Sequence, residues 1–408
     1  MRFQEFISEQ KNTHMTHIED KVLYGGVKGT REAILALRSL RDMLGGVHEG
    51  NVSVKWDGAP AVFAGTDPRD GKFFVAKKGI FNKSPKVYKT NDEIDADTSG
   101  DLAVKLKQAL EHLPKLGIKG VIQGDFLFSR SDLKTKKVKG KQYVTFHPNT
   151  IVYAIPANTP MAKQLKKAQM GIVWHTTYTG TSFETMKASY GVDVNKLRKT
   201  ASVWSQDAML RDLTNYTMSK EETAAVNSYL SQAGKIFNQI SSTALKQLEN
   251  NRELAQHIET FNNSYVRQGQ VVTNTRTHVT KLINHIKTKY KKEMAKRKTE
   301  KGKSAQQKKM DELLEFFSPE NRINLKKIFD LQKLIVLAKL KIINILNRLQ
   351  SLKTFLKTKR GFRVTGQEGF VAIDKLGGDA VKIVDRMEFS FANFSPSILK
   401  GWDTPSRS

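Results

Sequence analysis

The chain contains no cysteine. That absence excludes disulfides, thiol nucleophiles and cysteine-built zinc modules, and it suits a reducing compartment. Long hydrophobic runs are missing as well. No uninterrupted apolar stretch reaches the ~18 residues of a membrane span. The most apolar helix candidate, 331–352, carries Lys333, Lys339 and Lys341 and reads as a packed helix. The opening Met1-Arg2-Phe3-Gln4-Glu5-Phe6 lacks the apolar core of a secretory signal. The expectation is a soluble, cytoplasmic chain with no membrane span and no fixed-period repeat. Acidic residues are scarce beside basic ones: 40 against 68 in 408 residues, a formal net charge of +28. Such a surplus points to a polyanion, either nucleic acid or an acidic surface, with a merely solvated basic face as the plain alternative.

The length allows two or three domains. Ala33, Ile34, Leu37, Leu40 and Leu44 recur at helical spacing before Gly45-Gly46, which makes 1–48 a helical segment. From Asn51 the texture is that of short strands: 52–54, 61–64 and 73–76, then, after a helix over 102–113, further runs at 120–128, 142–146, 150–155 and 171–178. This first block, 49–193, is α+β with much antiparallel sheet. Strand signals then vanish over 194–360, where Leu331, Leu334, Ile335, Ala338, Ile342, Ile345, Leu346, Leu349, Leu352 and Leu356 form a helical stripe. Residues 281–360 hold 23 Lys and Arg against 7 Asp and Glu, more than half of the net charge. Within them 296–309 is polar enough to read as a mobile loop. Strand texture returns in 361–408, at 362–365, 369–373 and 380–384, with a turn at Gly377-Gly378. A helical block between two strand-rich blocks suggests an insertion, the last strands completing the first sheet.

The segment Ser53-Val54-Lys55-Trp56-Asp57-Gly58 resembles the nucleophile motif of the covalent nucleotidyltransferases, the ATP-dependent DNA ligases, RNA ligases and capping enzymes. Alone it is a weak pattern, equally a surface lysine before a turn. An ordered series follows it. Lys77-Lys78-Gly79, Gln123-Gly124-Asp125 and Ile151-Val152-Tyr153-Ala154-Ile155 resemble the next family motifs, and Gln367-Glu368-Gly369 and Ala380-Val381-Lys382-Ile383-Val384 resemble the last two. The chain departs from the family in having Asp125 where Glu is usual and Val384 where a second lysine is usual, with Arg386 two residues on. Gly171-Ile172-Val173-Trp174-His175 mimics one motif superficially; Trp174 and His175 read as strand packing and a satisfied histidine.

The resemblance implies a ligase-type nucleotidyltransferase domain of antiparallel sheets carrying a large all-helical insertion. It implies ATP and Mg²⁺ (or Mn²⁺) as cofactors and a lysyl-AMP on Lys55, with Lys382 and Glu368 as catalytic partners and Glu368 and Asp125 on the metal. Ser53, Trp56, Asp57, Gly58, Lys78, Asp125, Tyr153 and Lys382 would surround the nucleotide, Tyr153 (or Phe146) stacking on the base and Asp57-Gly58 shaping the turn. An uncharged Lys55 amine is required, and burial together with the Lys382 cation favours it. The partner would be RNA or nicked DNA, bound in part by Lys291, Lys292, Lys296, Arg297 and Lys298. Only 26 residues follow Lys382, too few for an oligonucleotide-binding barrel, which tilts the expectation to RNA ligase. A DNA ligase, a GTP-using capping enzyme and an inactive nucleic-acid-binding descendant are the alternatives. The general composition also resembles that of proteins of large tailed phages, which would place the work in the host cytoplasm.

Overall fold

Apolar residues at period two and at period 3.6 divide this chain into strands and helices that must bury one face each. The computed structural model describes residues 16–46, 51–138, 140–209, 218–349, 352–359, 361–373 and 380–401. Residues 1–15 and 47–48 of the N-terminal segment and the turn at Gly377-Gly378 lie outside them. The result is an α+β fold with several mainly antiparallel sheets. The first strands are β1 (Asn51–Lys55), β2 (Ala61–Thr66), β3 (Phe73–Ala76) and β4 (Val121–Ser129). Then come β5 (Lys134–Val138), β6 (Lys141–Phe146), β7 (Ile151–Pro156), β8 (Met170–Thr179), β9 (Lys187–Tyr190) and β10 (Val203–Asp207). After the helical block follow β11 (Lys353–Thr358), β12 (Gly361–Val364), β13 (Gly369–Ile373), β14 (Ala380–Ile383) and β15 (Ile398–Leu399).

Among the described residues three sheets result. The smallest runs β1-β13-β14, so strands from the two ends of the described chain pair, as expected. A second runs β10-β8-β4-β2-β3 with β9 beside β8, and a third runs β12-β11-β7-β6-β5 with β15 beside β11. The N-terminal helix Gly26–Leu44 ends at Gly45 and Gly46, the latter at φ 76°, a conformation that favours glycine. One apolar core joins this helix, β1, β13, the third sheet and the helical block, while a second lies between the second sheet and the helix Gly100–His112.

Three expectations are corrected. Strand structure does not vanish over 194–360: β10 pairs in parallel with β8, and β11 pairs with β7. The stripe ending at Leu352 and Leu356 is two elements, because the helix Pro319–Arg348 stops and Leu356 belongs to β11. Segment 296–309 is largely helical, since Glu300–Leu314 forms a helix whose N-cap Thr299 accepts the Gly302 N–H. A polar helix of this kind needs only one buried stripe, here Met310 and Leu313. No helix among the described residues is long and apolar enough to cross a membrane.

Candidate functional site

β1 carries Ser53 and Lys55 on one face of its sheet, two residues apart. Its antiparallel partner β13 sets Val371 opposite Ser53 and Gly369 opposite Lys55. β14 then sets Lys382 opposite Val371. The sheet therefore places Ser53, Lys55 and Lys382 on one face, the two lysines offset by two residues, about 7 Å of strand. Glu368, at the entrance to β13, forms an ion pair with Lys55. Gly369 is required there: a Cβ would come within 2.4 Å of Val384 Cγ2 and 3.0 Å of the Ile383 carbonyl oxygen. Val384 is 2% exposed and fills this space, so no cation occupies the position of the usual second lysine. Arg386 is also committed elsewhere, to Asp20 at 2.8 Å and Glu19 at 3.4 Å.

Asp125 enters from β4, under the turn that follows Lys55. A Cβ on Gly58 would lie 2.5 Å from Asp125 Cβ and 3.0 Å from the Phe126 carbonyl oxygen, and Ala59 donates to that same oxygen at 2.9 Å. The glycine thus lets the Lys55 turn rest directly on the strand that presents Asp125. Gly58→Ala is expected to displace one or the other, costing about 1–3 kcal/mol of stability and most of any chemistry at Lys55; thermal melting and the labelling assay below read the two effects. Asp57 does shape the turn. Its buried carboxylate accepts from the Thr150 N–H and Oγ1 at 2.6 Å, the Ile151 N–H at 2.7 Å and the Asn149 side chain at 2.9 Å. Burial raises its pKa against the pull of these donors.

Electrostatics around Lys55 differ from the sequence expectation. Burial disfavours its charge, but Glu368, then Asp125 and Asp57, outweigh burial and raise its pKa. Burial pushes Glu368 up to about 7, opposed by Lys55. Burial, then the charge on Lys55, lowers the pKa of Lys382, with Glu368 opposing. Lys55 is therefore favoured as an ammonium by its carboxylates, against the pull of burial.

Two aromatic assignments are overturned by packing. Tyr153 is fully buried, its ring between Trp56 (centroids 4.9 Å apart) and Phe146 (5.2 Å), and its hydroxyl accepts the Asp57 N–H at 2.7 Å. Neither Tyr153 nor Phe146 has a ring face open to a base. Trp56 is likewise core, edge-on to Trp204, with its Nε1 lacking a hydrogen-bond partner. Tyr153 braces the Lys55 turn from behind. Lys78 is exposed in a short turn after β3, and no described contact brings it to Lys55; its neighbour Lys77 pairs with Asp97 at 3.0 Å. Trp174 is buried and donates to Ser205 at 2.9 Å, as read. His175, read as inert, has Nε2 3.6 Å from Asp125 and Nδ1 2.8 Å from Thr176 Oγ1, which puts it beside the site. The β4-β8 pairing, which no local motif encodes, brings it there.

Lys291, Lys292, Lys296, Arg297 and Lys298 are all exposed where the helix Thr275–Ala295 gives way to Glu300–Leu314. Among the described residues no group of three acidic or histidine side chains converges as a preformed metal cage. Glu368 and Asp125 both act on Lys55 and are the carboxylates that a divalent cation could use there.

A family model described as "Family of unknown function (DUF6267)" matches residues 12–397, and the chain belongs to that family. No curated protein and no solved structure gives a significant match.

Proposed function

We propose that this protein is an ATP-dependent polynucleotide ligase, acting on RNA, that works on a ligase-type fold through a lysyl-AMP at Lys55. One observation carries the reading: Lys55, Glu368 and Lys382, far apart in sequence, meet on the three-stranded sheet β1-β13-β14 in the order that the resembling motifs require. The Lys55 amine attacks the α-phosphorus of ATP, a P–N bond forms, the bond to the bridging oxygen breaks and pyrophosphate leaves. The proton must leave Lys55 first, and Glu368 is in contact to receive it. Lys382 faces the developing phosphate charge from the same side of the sheet. Mg²⁺ or Mn²⁺ on Glu368 and Asp125 would supply Lewis-acid neutralisation of the phosphates. A strand's 5′-phosphate oxygen then takes the AMP from Lys55, and a 3′-hydroxyl displaces AMP to close the backbone. The exposed basic turn at Lys291–Lys298 supports a path for the polynucleotide.

A second reading, a nucleic-acid-binding protein that has lost AMP transfer, is favoured by Val384 and by the enclosure of Tyr153 and Trp56 in the core. One experiment separates the two. Incubation with α-labelled ATP and Mg²⁺, then a denaturing gel and peptide mass mapping, is expected to place one adenylyl group on the peptide carrying Lys55. Absence of label, after adenylylation during expression has been excluded by mass, would leave the binding protein. Labelling by GTP instead would indicate a guanylyltransferase, and chasing the labelled protein with RNA or nicked DNA identifies the polymer.

A further inference from the structure

Glu368 also lines a cavity of about 780 Å³. It opens between the end of the helix Pro319–Arg348, the strands β11 and β12, and the helix Arg386–Phe394. Its size is in the range of small-ligand sites. Asn344 and Asn347 from one helix face, Thr354, Thr365, Gln367 and Asn393 set amides and hydroxyls among the apolar side chains of its wall. Gln367 stands out. It is 8% exposed, and neither its Oε1 nor its Nε2 has a hydrogen-bond partner. Buried amides without partners are rare in folded proteins, because both atoms forfeit their bonds to water. Its backbone N–H is held by Asn347 Oδ1 at 3.1 Å, so the residue is fixed while its side chain is unsatisfied.

Close by, Phe391 and Phe394 keep exposed surface (37% and 57%) on the helix that supplies Ala392 and Asn393 to the cavity wall. Arg363 lies over the Phe391 ring at 4.5 Å and pairs with Glu388 at 3.1 Å, and exposed Lys353 and Lys357 stand on β11. Aromatic faces interleaved with cations are how sequence-tolerant single-strand sites are built, bases stacking on rings and cations following the phosphates.

We propose that this cavity seats the terminal nucleotide of a single-stranded polynucleotide, Gln367 reading its base edge, while the preceding bases stack on Phe391 and Phe394 of the Arg386–Phe394 helix. A carboxamide presents a donor and an acceptor side by side, and base edges such as that of adenine present the complement. The inference rests on the ligase reading for its meaning, since it delivers a strand end to Glu368, but binding here does not require AMP transfer.

The test is fluorescence anisotropy of a short fluorescein-labelled oligoadenylate on the full chain, without ATP, comparing wild type with Gln367→Leu and with Phe391→Ala/Phe394→Ala. Each variant is expected to bind about tenfold more weakly. Gln367→Leu should do so with an unchanged or raised melting temperature, because it removes an unsatisfied buried amide, whereas a merely structural glutamine would lower stability. The phenylalanine pair is exposed, so its loss leaves folding intact. Wild-type affinity in both variants, no binding by wild type, or displacement of the oligonucleotide by stoichiometric ATP would each overturn the proposal, the last by giving the cavity to a free nucleotide. Because no ATP is present, failure of lysyl-AMP formation would sink the ligase reading without touching this result.

Discussion

Lys55→Ala is expected to abolish covalent labelling by α-labelled ATP while leaving the protein folded. Loss of the nucleophile cannot be made good by a neighbour: Lys382, the other lysine on that face, lies two residues along the sheet and projects from a different strand. Lys55→Arg should be equally dead, since a guanidinium does not deprotonate in proteins. The fold survives because the partner left behind can neutralise itself. Glu368 already has its pKa pushed up to about 7 by burial, with Lys55 opposing, so removing Lys55 lets it take a proton rather than remain a buried unpaired charge. Glu368→Gln is expected to slow adenylylation by about 10²–10³-fold, the scale for losing one preorganised electrostatic group. Single-turnover labelling with melting curves on the same samples checks both. Undiminished label in Lys55→Ala, mapped to another lysine, would remove Lys55 from the mechanism.

The three-stranded sheet was legible in the sequence because its information is local and ordered. Lys55 and Lys382 sit on short strands and Glu368 directly precedes Gly369 at the start of another, and their order along the chain implied the pairing that β1, β13 and β14 show. The glycines had a geometric reason the sequence could only hint at, since Gly58 and Gly369 are places where a Cβ would strike Asp125 or Val384. Other features were hidden because they depend on what lies across the fold. Tyr153 has the residue type of a base-stacking platform, and only its packing against Trp56 and Phe146 makes it core. His175 approaches Asp125 through strand pairing alone. The boundary strands β10 and β11 were hidden by the helical texture that follows the one and precedes the other, and each also pairs across the fold, with β8 and β7.

The same blindness applies to Lys339, which on periodicity looks like a charge interrupting an apolar helix and is in fact 1% exposed. Its ammonium donates to both oxygens of Glu19, at 2.7 and 2.9 Å, while Arg386 reaches Asp20 and Glu19. Gln332 adds a bond to the Glu19 carbonyl oxygen at 3.0 Å. This network ties the N-terminal segment to the helical block and to the end of β14, and the Lys382 N–H donates to the Thr16 carbonyl oxygen at 3.3 Å beside it. Lys339→Met is expected to cost about 3–5 kcal/mol, the penalty of stranding a buried carboxylate. Lys339→Met with Glu19→Gln should cost less than Lys339→Met alone, because the double change removes the stranded charge. The pH dependence has two arms of opposite sign. Burial raises the Glu19 pKa, but Lys339, Arg386 and His17 outweigh it and bring it down from 4.5 to about 2. Its contribution is therefore present above pH 4.5 and lost as pH falls towards 2. Burial, reinforced by Glu19 and Glu259 and opposed by Arg386 and Lys339, raises Asp20 from 3.8 to about 7. Its contribution is present below pH 3.8 and lost as pH rises through 7. Melting temperature should thus fall on both sides of an intermediate optimum, and Asp20→Asn should flatten only the alkaline arm. An unchanged alkaline slope in Asp20→Asn would mean that another group titrates there.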